Sequence, residues 1–115
     1  MGKRDYALKV YGAFEDEYDL SRNVDDIKPG LLTNIHEGAK RLVMRGISPT
    51  KFFADRIEIL RNCVITGDEI CGGVVPADGF KRKWRDETGK LYQYLANEAE
   101  IVDRVFAGLA LRLKG

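Results

Sequence analysis

The chain has 115 residues, 44% hydrophobic and 32% charged, with 12 glycines, only 3 prolines and a formal net charge of +1. That length supports one domain with its own core, and the composition excludes disorder and low-complexity linkers. The near-neutral total excludes strong non-specific attraction to nucleic acid, and apolar runs of only a few residues exclude a membrane-spanning helix.

Residues 5–20 predict a first helix. Tyr6, Ala7, Val10, Tyr11, Phe14 and Tyr18 share one arc, with Lys9, Glu15, Asp16 and Asp19 opposite. Gly12 interrupts that pattern, and Tyr6–Tyr11 also reads as a short strand. No apolar stretch follows the charged Met1–Asp5, so no signal peptide is expected and the location read from the sequence is cytoplasmic. Asn23 to Gly30 forms a loop broken by Pro29-Gly30.

Residues 31–45 give the cleanest stripe, with Leu31, Leu32, Ile35, Ala39, Leu42 and Val43 on one side. His36 lies at its edge as a boundary histidine. Met44 is apolar on the polar face and is a candidate contact residue. At Arg45-Gly46-Ile47-Ser48-Pro49-Thr50 one helix stops and another starts. Gly46 suits a left-handed closing residue, Ser48 an N-cap and Pro49 the first helical position.

The second helix, 49–62, carries Phe52, Phe53, Ile57, Ile59 and Leu60, with Arg56 near the middle of the apolar arc. A guanidinium there needs a carboxylate from the acidic segment, or else faces a binding partner. The junction looks like the centre of a DNA-binding helix-turn-helix. However, Arg45 and Leu42 depart from that motif, and Asp55 and Glu58 on the exposed face would meet phosphates.

After Asn62 the period changes. Val64–Thr66, Gly67-Asp68 and Glu69–Cys71 read as a hairpin, and Pro76–Gly79 as a turn. Phe80–Arg85 alternates, Asp86–Gly89 is a hairpin loop and Leu91–Leu95 a returning strand. Together these predict a small antiparallel meander over about 63–95. Its rival is a largely helical 80–113 interrupted at Gly89. In the meander Lys81, Lys83 and Arg85 project from one face beside Tyr92 and Tyr94, a comb able to grip a nucleic-acid backbone and stack bases.

Residues 97–113 predict a closing helix, with Asn97 as cap and an apolar face from Ala99, Val102, Phe106, Leu109 and Leu113. Ile101, Val105 and Gly108 broaden it enough to suggest a homodimer through this helix.

The fold class expected is therefore α+β: a helical N-terminal half, the meander and the C-terminal helix. Cys63 and Cys71 are too far apart for a Cys-x-x-Cys pair and read as reduced, partly buried thiols. Asp68 and Glu69 have no neighbouring companions for metal or acid–base work, and no Gly-Lys-Ser/Thr ending marks a phosphate loop. No catalytic, metal or cofactor residue stands out. The functional reading is a non-enzymatic binding protein, an adaptor or inhibitor acting on a protein partner, with no membrane. Met44, Arg56, Lys81, Lys83, Arg85, Tyr92, Tyr94 and Ile101 are its candidate contacts. The second reading is a nucleic-acid-binding module using the basic comb, ahead of a helix-turn-helix.

Overall fold

A computed structural model describes residues 3–12, 16–70, 78–106 and 109–115. In chain order the elements are α1 (Lys3–Tyr11), β1 (Glu17–Asp19), β2 (Leu31–Thr33), α2 (Ile35–Met44), α3 (Pro49–Ala54), α4 (Ile57–Leu60), β3 (Val64–Ile65), α5 (Gly79–Glu98), β4 (Val102–Phe106) and β5 (Leu109–Lys114). The α+β class holds, but the C-terminal half differs in where its helix and its strands fall.

β1, β2 and β3 form a parallel sheet in that order, with Tyr18 opposite Leu32 and Leu32 opposite Ile65. β2 is its centre, and Leu31, Leu32 and Thr33 are all buried. Covered on both faces, the strand shows an unbroken apolar run instead of alternation. That run is why Leu31-Leu32 reads from sequence as the start of a helix. The helix begins four residues later than that start, at Ile35, and Ile35, Ala39, Leu42 and Val43 carry its buried stripe.

The junction after α2 forms as its residues dictate. Gly46 has φ +73, where a side chain would be strained. Ser48 Oγ accepts from the Lys51 N–H at 3.3 Å, and Pro49 opens α3. The predicted helix 49–62 divides at Asp55-Arg56 into two short pieces, so no long recognition helix follows the turn.

The first predicted helix also shortens. α1 stops at Tyr11 before Gly12, and Tyr18 lies in β1. Phe14 and Glu15 fall outside the described residues, as do Cys71, the 71–77 part of the expected hairpin and Gly108.

The meander is corrected. β3 pairs in parallel with β2, and Phe80–Leu95 lies within one 20-residue helix. Asp78 caps it, accepting from the N–H groups of Phe80 at 2.8 Å and Lys81 at 3.2 Å. Trp84, Thr88, Leu91 and Leu95 then recur at helical spacing against the core, with Thr88 and Leu91 buried. This four-position stripe outweighs the three-residue alternation of Phe80, Arg82 and Trp84.

The expected helix 97–113 is an antiparallel hairpin, β4 against β5, so the helical dimer face does not form. Val102, Val105 and Phe106 favour strand geometry, and Leu109, Leu111 and Leu113 alternate along β5. Lys114 Nζ bonds the Ala96 carbonyl at 2.9 Å and the Asn97 carbonyl at 3.2 Å, satisfying acceptors at the end of α5.

The core joins Leu32 of β2, α2, α3 and Leu91 of α5 with Leu20, Val24 and Ile27 from the β1–β2 loop. Gly38 lets that loop approach α2. A Cβ there would lie 3.0 Å from both Leu20 Cβ and Val24 Cγ1. Gly89, in α5, has nothing within 4 Å of the same added atom. Gly38→Ala should therefore lower unfolding stability by about 1–3 kcal/mol. Gly89→Ala should raise it by about 0.5–1 kcal/mol. Chemical denaturation of both variants checks the contrast, and equal effects would refute the close-approach account.

Candidate functional site

The carboxyl ends of the three parallel strands bring together residues distant in sequence. Asp19 closes β1, Asn34 follows β2, and Thr66-Gly67-Asp68 follow β3. Open parallel sheets bind ligands at this end, where loops diverge and helix N-termini point inward. Asn34 adopts φ 58, ψ 45, a conformation uncommon for a residue with a side chain, and does not cap α2 with that side chain. Its Nδ2 instead donates to Asp19 Oδ1 at 2.9 Å, which also accepts from Ser21 Oγ at 2.7 Å and the Ser21 N–H at 3.0 Å. Burial alone would raise the Asp19 pKa, but the Asn34 and Ser21 hydrogen bonds and Arg22 outweigh it and hold the carboxyl below its ordinary range.

Beside this pair stands a second group around Asp68. His36, buried in the first turn of α2, accepts the Asp68 N–H at its Nδ1 at 3.0 Å. That bond places the proton of a neutral ring on Nε2, which lies 3.6 Å from Asp68 Oδ2 and 3.9 Å from Glu37 Oε1. Lys3 Nζ reaches Asp68 Oδ1 at 2.9 Å from α1. Tyr92 donates its hydroxyl to the Asp68 carbonyl from α5. The bond from Lys3 holds the Asp68 carboxyl below its ordinary pKa against partial burial, with His36 assisting. Burial, followed by the charges of Asp68 and Glu69, pushes the Tyr92 phenol well above its usual range.

Asp68 thus stays ionised through neutral pH, suited to accepting a hydroxyl proton bond or facing a cation, and poorly suited to storing a proton. Among the described residues no cluster of three or more His, Cys, Asp or Glu could hold a metal ion.

Next to Lys3, Thr66, Gly67 and Tyr92 opens a cleft of about 810 Å3. Its walls come from α1, α4, the outer edge of β3, α5 and the β4–β5 hairpin. The hairpin is bound to α1 through Asp103, whose Oδ2 accepts from Tyr6 at 2.8 Å and Tyr11 at 3.1 Å, while Arg112 pairs with the same carboxylate. Burial opposes ionisation of Asp103, but these three partners win and lower its pKa.

The contacts expected from sequence are scattered. Met44 is exposed at the end of α2 and Ile101 just before β4. Arg56, between α3 and α4, rests its guanidinium 3.6 Å from the Phe52 ring centre and donates to the Phe52 carbonyl at 2.9 Å. That contact with its own helical segment accommodates the charge. Asp25 of the acidic segment is instead bonded by Arg45, at 2.8 and 3.1 Å.

Lys81, Lys83 and Arg85 lie on α5, where 100° per residue sends Lys83 away from the other two. Lys83 borders a smaller hollow with Ile47 and Thr50, and Arg85 pairs with Asp86 at 2.9 Å. Tyr92 turns toward Asp68 and Tyr94 lies half-buried elsewhere on the helix, so the basic and aromatic sheet face does not exist.

Residues 22–113 match the family model described as CobU, cobinamide kinase / cobinamide phosphate guanyltransferase. The chain belongs to the CobU family. A search of curated proteins finds no match.

CobU membership overturns the expectation of a non-enzymatic adaptor or inhibitor, and with it the nucleic-acid-binding and helix-turn-helix alternatives, because the family is one of enzymes. Asn34, His36, Asp68 and Tyr92 lie inside the matched CobU segment, whereas Lys3 and Asp19 precede it. Sequence reasoning met His36 and Asp68 but gave them no role. They are 32 positions apart, and no local motif joins them. The available signal was Val64-Ile65 followed by Thr-Gly-Asp-Glu, which reads as a strand end once the strand is known to be parallel.

Asp19, Asp68 and Asp103 all titrate lower in the fold than in the unfolded chain. Their stabilisation is complete above the unfolded carboxylate range and is lost as pH falls through the folded values. Urea midpoints should therefore be level from pH 7 to about pH 5 and fall below about pH 4. Asp103→Asn should lower the pH 7 midpoint and shrink the acid-induced drop. An unchanged drop would remove Asp103 from this account.

Proposed function

We propose that this chain transfers phosphoryl or guanylyl groups to a cobinamide substrate, as its family's description names, at the carboxyl end of the parallel strands. The observation that supports the reading most is Asp68 beside a large cleft, its backbone held by His36 and Tyr92 and its ionised carboxylate paired with Lys3. In the kinase step Asp68 accepts a hydrogen bond from the cobinamide hydroxyl and aligns its oxygen for attack on phosphorus. The bond from that oxygen to phosphorus forms as the bond to the leaving nucleoside diphosphate breaks, and the hydroxyl proton passes by way of the Asp68 carboxylate to water.

Lys3 on α1, its Nζ 2.9 Å from the Asp68 carboxylate, places a positive charge where negative charge builds on the transferred group. The amino end of α2, directly after β2, adds its dipole at the same end of the sheet. His36 is a positioning residue, since its contact is to the Asp68 backbone. No helix among the described residues is long and apolar enough to cross a membrane. The reading carries with it a cytoplasmic location, where nucleoside triphosphates are supplied.

The test is to incubate the full chain with cobinamide and ATP or GTP, following cobinamide phosphate and its guanylylated product by chromatography. Wild type should form product. Asp68→Asn should reduce kcat about 100-fold or more while melting within a few degrees of wild type. Absence of transfer from either nucleotide by the wild-type chain would refute the reading.

A further inference from the structure

His36 is the chain's one histidine, buried in the first turn of α2, and groups from three other parts of the fold bear on it. Its Nδ1 accepts the Asp68 N–H at 3.0 Å. Its Nε2 lies 3.6 Å from Asp68 Oδ2, just past β3, and 3.9 Å from Glu37 Oε1 on its own helix. From α5 the Trp84 indole N–H donates to the His36 carbonyl at 2.8 Å, and the Lys40 ammonium of α2 lies 5.1 Å from the centre of the Trp84 rings. From α1 Lys3 reaches Asp68 Oδ1 at 2.9 Å, and Tyr92 of α5 holds the Asp68 carbonyl.

These contacts contain two ways of holding Asp68 that exclude each other. A neutral ring with its proton on Nε2 offers Nδ1 as an acceptor, and Asp68 is held by its backbone. A second proton, taken from water, can go only to Nδ1, where the remaining lone pair is. Donor then faces donor, and the bond from the Asp68 N–H is lost. In exchange, the imidazolium has the Asp68 and Glu37 carboxylates within 4 Å of Nε2. Opposite charges at that distance attract and offset the lost bond. Tyr92 on the Asp68 carbonyl and Trp84 on the His36 carbonyl are untouched by the change. The fold stays in place, and a different part of Asp68 is gripped.

We infer that His36 is a proton-operated switch on Asp68: the neutral ring fixes the backbone and leaves the carboxylate to substrate, while the charged ring releases the backbone and takes the carboxylate. In the charged state Lys3 holds Oδ1 and the ring holds Oδ2. Both oxygens are then committed to cations, and the substrate hydroxyl meets a weaker acceptor. His36 remains a positioning residue, acting through Asp68. The consequence for transfer rests on the function proposed above; the switch itself does not.

Nuclear magnetic resonance on the 15N-labelled full chain, titrated from pH 7.5 to 5.5, reads the switch without substrate. The Asp68 amide shift should follow the His36 ring resonances with one midpoint. The protection of that amide from solvent exchange should fall about tenfold, while the amides of Ala39 and Leu42 stay protected. Glu37→Gln removes one carboxylate from the ring and should move the midpoint to lower pH. In His36→Asn, the side-chain Oδ1 can accept the same N–H and cannot titrate. Its Asp68 amide should stay protected throughout. Its transfer at pH 5.5 should stay within about twofold of the pH 7.5 value, where wild type loses about tenfold.

Should the Asn variant fail to fold, the wild-type and Glu37→Gln titrations decide. An Asp68 amide that ignores the His36 titration would overturn the switch, whether or not transfer is observed. An equal acid loss of transfer in wild type and His36→Asn would also overturn it. Coupled titration in a chain that transfers nothing would uphold the switch and remove the proposed function.

Discussion

Asp68 engages three separate elements with three different groups. Its N–H goes to His36 of α2, its carbonyl accepts from Tyr92 of α5, and its carboxylate pairs with Lys3 of α1. Because β3 ends just before it, this one residue ties the parallel sheet to the helices around it. The backbone bonds are local in geometry but long in sequence, so each depends on the others being in place. A hydrogen bond to a buried imidazole is costly to lose, since the ring nitrogen would be left without a partner. The same bonds that order the end of β3 leave the Asp68 carboxylate half-exposed and charged, with its side chain 55% accessible. Structural tethering and chemical readiness therefore reside in different atoms of one side chain and its backbone.

The features legible in the sequence were those set by nearest neighbours. Gly46, Ser48 and Pro49 each act within a turn of their own position, and the junction formed as read. The stripe of α2 was likewise legible because its spacing is intrinsic to a helix. Parallel pairing was not. β2 and β3 are three and two residues long and lie about thirty positions apart, so neither carries a period by itself. The 80–98 stretch went astray for another reason: alternation over three residues satisfies a strand template while a longer helical stripe runs through it. Once that stretch became a helix, the alternating leucines of β5 had to find a strand partner, and Val102–Phe106 supplied it.

The candidate site was less legible than the fold. Its members come from residues 3, 19, 34, 36, 68 and 92, and no two share a recognised motif. Charge was a poor guide, because the basic run at 81–85 is dispersed around a helix while the cation that reaches Asp68, Lys3, lies near the start of the chain. His36 was read as a boundary residue, which its burial supports, but burial does not reveal that its Nδ1 holds the backbone of Asp68. Family membership supplied what spacing did not, that the chain belongs to a family of enzymes.

The Tyr6–Asp103 hydrogen bond closes a loop of 97 positions, and Tyr11 closes one of 92 on the same carboxylate. Closing loops of this size costs chain entropy before any contact offsets it. α1 and the hairpin are each too small to persist alone, so each leans on the other through Asp103 and on the body of the fold, α1 through Arg4–Glu17 and the hairpin through Lys114 on the end of α5. Lys3 belongs to α1, so the ammonium beside Asp68 is held in place in part by the far end of the chain.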